Sequence, residues 1–132
     1  MNEPDTSVRE EPTGLEDVNA EHAMQYKLLA EAERLLAAGD GARAREVAQH
    51  LYDYTEAHFA SEQVLMRLHS YPQYQSHVRE HGELLAALHI LIDDLTGNAS
   101  TAAGALRQWL STHIHHSDQE FVEFVQEEPR TR

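Results

Sequence analysis

The chain contains no cysteine, which excludes disulfides, iron–sulfur clusters and thiolate zinc sites. Any metal it holds must be bound through nitrogen and oxygen. Positive charge is scarce as well: 10 Lys and Arg stand against 23 Asp and Glu, a formal net charge of −13. The few cations are scattered, so phosphate backbones and anionic lipid surfaces are repelled. Neither nucleic acid nor a membrane is therefore an expected partner. Long apolar runs are missing too. The richest stretch, Leu84 to Leu95, is interrupted by His89, Asp93 and Asp94 and falls far short of the roughly 20 residues a membrane span needs. Met1 to Glu11 is acidic and lacks the basic start and apolar stretch of a secretory signal, so cytoplasmic residence is expected.

What the chain does have is histidine, ten in 132 residues. That length fits one domain with one modest core. Residues 1–13 are rich in Glu, Asp, Pro, Ser and Thr and read as an irregular acidic arm. Residues 14–128 form the expected domain, and 129–132 a charged tail.

Within the domain, apolar residues recur at helical spacing in four segments. Val18, His22, Leu29 and Leu36 share one stripe, which Gly39-Asp40-Gly41 breaks. Val47, Leu51, Tyr54, His58, Glu62 and Leu65 form the second stripe, running into Ser70-Tyr71-Pro72. Pro72 suits the first turn of a third helix, whose inner face is His77, His81, Leu84, Leu88, Leu91 and Leu95, ending at Gly97-Asn98. Ser100 or Thr101 is positioned to cap a fourth, with Leu106, Leu110, His113, Phe121 and Val125 on one face before Pro129. No segment sustains a period of two, and the connections are short. The expectation is an all-α, up-down-up-down antiparallel four-helix bundle.

Chemistry enters on the inner faces. His58 and Glu62 are four apart and share a face, as do His77 and His81, while His22 lies on the stripe of the first helix. A lone buried histidine is ordinarily a hydrogen-bonded core residue. The pairs alter that reading, because burying five imidazoles and two carboxylates unpartnered costs about 1 to 3 kcal/mol each. The total rivals the stability of a whole domain, about 5 to 15 kcal/mol. Neutral imidazole and carboxylate are ligands that first-row metals such as iron accept, and a bound cluster removes the penalty. His113 and Asp118 are five apart, about 140° of rotation on a regular helix. Either they reach the axis from opposite flanks, or a local π-turn brings them together; the π-turn is the favoured expectation.

His22, His58-x-x-x-Glu62, His77-x-x-x-His81 and His113-x-x-x-x-Asp118 together resemble the ligand set of the hemerythrin family. The neighbouring words resemble it too: Tyr54-Thr55 ahead of His58-Phe59, Leu65-Met66, Tyr71-Pro72 and Trp109-Leu110 ahead of His113-Ile114. The pattern differs from ferritin-like sites, which use Glu-x-x-His pairs. The resemblance implies two iron ions per chain with an oxo or hydroxo bridge. It implies that His77, His81 and His113 bind one iron, that His22 and His58 bind the other, and that Glu62 and Asp118 bridge both. The three-histidine iron then has six ligands and the other five, so dioxygen is expected as ligand at the latter. Phe59, Trp109, Leu110 and Ile114 are the expected walls of a dry ligand pocket.

One departure stands out. Where the family often reads Leu-Phe, three and four residues after the first histidine, this chain has Gln25-Tyr26. Should either face the open iron, faster autoxidation or a preference for peroxide or nitric oxide is expected. The five remaining histidines, His50, His69, His89, His115 and His116, fall outside the constellation.

The expected function is reversible dioxygen binding by a carrier, store or sensor rather than an enzyme, as a monomer or weak homo-oligomer served by an electron-donor protein. The alternatives are a di-iron redox enzyme acting on peroxide or nitric oxide, with weak peroxidase or nitric oxide reductase activity, and an iron store or metal-stabilised interaction module.

Overall fold

The computed structural model describes residues 16–95 and 99–127. The expected arm (residues 1–13), the tail (129–132), the Gly97-Asn98 break, and the side chains of Val18 and Ser100 lie outside the described residues. Among the described residues there are five α-helices, α1 (Glu16–Ala37), α2 (Gly41–Leu68), α3 (Tyr74–Asp93), α4 (Ala99–Thr112) and α5 (Gln119–Glu127), with a π-helical segment (His113–Asp118) joining the last two. The final three pieces follow one another without a break and form the fourth rod of the bundle. α1 packs on α2, α2 on α3, α3 on α4 and α4 back on α1. A closed ring of neighbours joined by short connections is the up-down-up-down four-helix bundle, and no strand occurs among the described residues.

Local chemistry sets the turns. Gly39 ends the first hairpin with φ +82°, a left-handed conformation that glycine adopts without steric cost. Asp40 then caps α2, its carboxylate accepting from the Arg43 backbone N–H at 3.2 Å. Ser70 carries the strain of the second turn at φ 52°. Pro72 was expected in the first turn of the third helix, but α3 begins at Tyr74 with Gln73 as its cap residue, so the proline shapes the turn ahead of it. The third helix also stops early: Asp94 takes φ −138° and ψ 89°, an extended conformation that ends the helix before Leu95. Ser100 and Thr101 were expected to cap the fourth helix, yet it already runs from Ala99, placing both inside its first turn.

The core is layered along the bundle axis. One layer is polar, made of His22, Glu62, His77, His81, His113, Asp118 and His58, all buried. Counting one turn away from it along each helix gives Gln25, Thr55, Leu84 and Leu110; a further turn gives Leu29, Leu51, Leu88 and Leu106, again all buried. These leucines belong to the larger apolar cluster. On the other side of the polar layer a smaller cluster gathers Met66, Tyr71 and Phe121, with Leu65, Tyr74, Phe124 and Val125 against it. The polar layer is thus closed in by apolar packing at both ends.

Candidate metal centre

Each helix contributes by its own periodicity. The i, i+4 spacing puts His58 above Glu62 on α2 and His77 above His81 on α3. His22 projects from α1, and the fourth rod supplies His113 and Asp118, the first and last residues of the π-helical segment. There the Gln119 N–H bonds to the Ile114 carbonyl five residues back, the wider turn that brings a five-residue pair onto one face. The favoured sequence expectation for this pair therefore holds.

The seven side chains converge in two overlapping groups. Glu62, His77, His81, His113 and Asp118 offer ligand atoms all within 4.8 Å of one another, and so do His22, His58, Glu62 and Asp118. The carboxylates divide their oxygens between the groups. Asp118 turns Oδ2 toward His22 Nε2 at 2.9 Å and Oδ1 toward His77 and His113 Nε2 at 2.8 and 3.2 Å. Glu62 turns Oε2 toward His58 Nε2 at 3.6 Å and Oε1 toward His77 and His81 Nε2 at 3.3 and 3.0 Å.

These approaches are close without being hydrogen bonds, apart from His77 to Asp118. Nε2 of His22, His58, His81 and His113, Glu62 Oε1 and Asp118 Oδ2 are buried and make no hydrogen bond among the described residues. So many orphaned donors and acceptors in one layer is a heavy desolvation cost. A cation at the focus of each group satisfies them, so the donor set fits two metal ions.

The outward nitrogens are held. His58 Nδ1 pairs with the Glu21 carboxylate, His81 Nδ1 lies 2.9 Å from Gln63 Oε1, and His113 Nδ1 lies 2.7 Å from Glu80 Oε1. Ser117 donates to the same Glu80 oxygen at 2.6 Å. A hydrogen bond at Nδ1 fixes the tautomer, so Nε2 presents its lone pair to a metal. Sequence reasoning missed Glu21, Gln63 and Glu80. Each directly neighbours a member of the constellation (His22, Glu62 and His81), about 100° round the helix. An acid or amide beside an inward histidine or carboxylate was the available signal.

Titration follows the same geometry. Burial raises Asp118, but the adjacent His113 charge and the close approach of the His113, His22 and His77 rings hold it well below the usual carboxylate range. Burial and the Asp118 charge raise Glu62, yet the close approach of the His77 and His81 rings brings it lower on balance. Burial pushes His81 down to about 4 against the pull of Glu62. His113 goes the other way: burial opposes its charge, but Asp118, Glu80 and Glu62 carry it up to about 10. His77 is raised against its burial by Asp118 and Glu62. Without a metal, a proton on His113 offsets the carboxylate charge, and a metal must displace it to bind.

Of the expected pocket residues, Phe59 and Trp109 pack on histidines of the three-histidine group. Phe59 stacks face to face on His81, ring centroids 3.6 Å apart and planes 2° apart. Trp109 stacks on His113 at 5.0 Å and 15°. Leu110 and Ile114 are buried beside them, as are Gln25 and Tyr26. Gln25 Nε2 donates to Thr55 Oγ1 at 3.1 Å. A solvent-facing cavity of about 390 Å³ lined by Glu21, His58, Ser61 and Glu62 reaches the centre from the α1–α2 side. His50, His69, His89, His115 and His116 join neither group, as the sequence suggested. No described helix is long and apolar enough to cross a membrane.

A family model described as the hemerythrin HHE cation binding domain matches residues 13–125. Neither a curated protein nor a solved structure matches the chain.

Proposed function

The chain belongs to the hemerythrin family, and on that premise we propose that it binds dioxygen reversibly at a non-haem di-iron centre bridged by two carboxylates and an oxo or hydroxo group. The observation that carries the proposal is the division of each carboxylate's two oxygens between the two histidine groups. One ion accounts for half of that arrangement, and two ions account for all of it.

In this reading His77, His81 and His113 hold one iron, His22 and His58 hold the other, and Glu62 and Asp118 bridge. The centre, when bound, supplies two electrons that can pass reversibly to dioxygen. The remaining work belongs to the protein. The three-histidine side takes one nitrogen more than its neighbour and is ring-packed by Phe59 and Trp109, so it is saturated and shielded. The two-histidine side has one ligand fewer and receives the exogenous molecule. Glu21 keeps the His58 Nδ1 proton on the outer nitrogen, and Glu80 does the same for His113. Leu110, Ile114 and Phe59 are buried and limit the water and protons that reach the ligand, which reversible release requires.

The solvent-facing cavity beside Glu21 and Ser61 supports a second reading, turnover of peroxide or nitric oxide, since small molecules have an approach from solvent to the same side. One titration separates the two. The iron-loaded protein is reduced anaerobically, oxygen is added, and a visible ligand-to-iron charge-transfer band is followed. A band that disappears on deoxygenation and returns over repeated cycles supports carriage. Irreversible bleaching with consumption of peroxide or nitric oxide supports the enzyme. A preparation with far fewer than two irons per chain after reconstitution removes both readings.

A further inference from the structure

A neutral diatomic molecule can work its way through apolar packing, but a cation cannot, because shedding its water inside a hydrocarbon wall is prohibitively costly. An ion therefore needs a polar opening to reach a buried layer of ligands. Around the three-histidine group the described residues leave little room. Phe59 lies flat on His81 and Trp109 on His113, while Gln63 and Glu80 engage the outer nitrogens of the same two rings. The two-histidine group is different. The solvent-facing cavity of about 390 Å³ between α1 and α2 is bordered by Ala20, Ser61 and Val64, all exposed. His58 and Glu62, each 2% exposed, also belong to its wall. Nε2 of the first and Oε1 of the second make no hydrogen bond among the described residues.

Size and charge both suit an ion. Six waters at about 30 Å³ each fit within this volume, so a cation can enter with its hydration shell. Glu21 lines the cavity and holds its carboxylate on His58 Nδ1 with the side chain 34% exposed. No Lys or Arg is among the lining residues, and Arg67, one turn beyond Val64, donates to the Tyr74 hydroxyl at 2.8 Å. Carboxylate oxygen thus stands at both the outer and the inner end of the opening. We infer that this cavity is the loading route for metal ions, with Glu21 drawing the cation in and Glu62 handing it on. The inference rests on the two-metal reading. Because Glu62 and Asp118 face both histidine groups, an ion entering at His58 passes along them to the three-histidine group. That group fills first; the two-histidine group fills last and empties first.

The test follows cobalt(II), an ion that accepts nitrogen and oxygen donors, into the metal-free full chain. Trp109 is the single tryptophan and stacks on His113, so quenching of its fluorescence reports arrival at the three-histidine group. Recovery under excess chelator reports departure. At low ionic strength one added charge at the mouth changes the entry rate of a divalent ion about fivefold: Ser61→Asp is expected to speed arrival and Ser61→Lys to slow it. High salt brings the two rates together. Ser61→Phe, which narrows the mouth from an exposed position, slows arrival and departure by the same factor. The same charge changes at Ala42, exposed near the far end of α2, leave the rates alone. Rates that ignore the charge at position 61, or that answer equally to position 42, overturn the route, while full cobalt loading by elemental analysis keeps the two-metal reading. A chain that binds no cobalt overturns both.

Discussion

The two halves of the centre share two carboxylates and little else. The half built by α3 and the fourth rod has three histidines, two of them pinned between an aromatic ring and an outer hydrogen bond: His81 by Phe59 and Gln63, His113 by Trp109 and Glu80. The half built by α1 and α2 has two histidines, an open cavity at Glu21 and Ser61, and the Gln25–Thr55 pair behind it. On the di-iron reading proposed above, one half is arranged to retain its ion and the other to exchange what is bound to its ion. Asymmetry of this kind comes from outer contacts as much as from ligand count, because those contacts set how far each imidazole can move.

The comparison breaks most severely at the residues both halves use. Asp118→Ala is expected to leave elemental analysis near zero metal per chain, where about two are expected for the unaltered protein. His22→Ala sharpens it: the two-histidine half empties while the other persists, and the same analysis gives about one. If His22→Ala instead abolishes all metal, the halves do not load independently.

Outer partners come next. Removing such a partner lowers metal affinity about 10- to 100-fold. Glu80→Ala is expected at the upper end, because Glu80 holds both His113 and Ser117, and Glu21→Ala, which frees His58 alone, at the lower. Competition with a chelator ranks them, and the reverse order contradicts the assignment of the tighter half.

A separate effect is electrostatic. In metal-free protein His113 is raised from 6.5 to about 10, so its contribution to stability is full below pH 6.5 and is lost as pH climbs through about 10. His81 is lowered from 6.5 to about 4, and Glu80 from 4.5 to about 2. Their contributions are full above those ordinary values and are lost as pH falls. Thermal midpoints across pH should therefore peak near pH 6.5. Metal loading abolishes the alkaline decline, because the ion takes the place of the His113 proton, and it releases that proton at neutral pH. Calorimetry in buffers of different ionisation enthalpy reads the release directly.

How much of this was legible beforehand differs by residue. The seven converging side chains were legible because helical periodicity fixes which way each points, and the awkward spacing of His113 and Asp118 announced a wider turn. The outer partners were not. Glu21, Gln63 and Glu80 sit on flanks that a helical wheel assigns to solvent, and only the crossing of neighbouring helices brings His58, His81 and His113 to them. Helix ends were legible where glycine and aspartate act locally, at Gly39 and Asp40. They were misjudged at Pro72 and Thr101, where the neighbouring backbone sets the boundary. The Gln25 substitution was visible as a polar residue in an apolar place, but its partner Thr55 lies 30 residues away and required the fold.

The wide turn has a consequence for how the fourth rod tolerates change. Were the same residues from His113 to Asp118 wound as a regular α-helix, everything downstream would swing by about 100°. Phe121, buried against Met66 and Tyr71, would be carried out of its seat together with Asp118. The far end of the rod therefore acts as a key in a keyway: the phase that seats an aromatic ring at one end of the molecule is the phase that aims a carboxylate at its middle, and neither can slip alone.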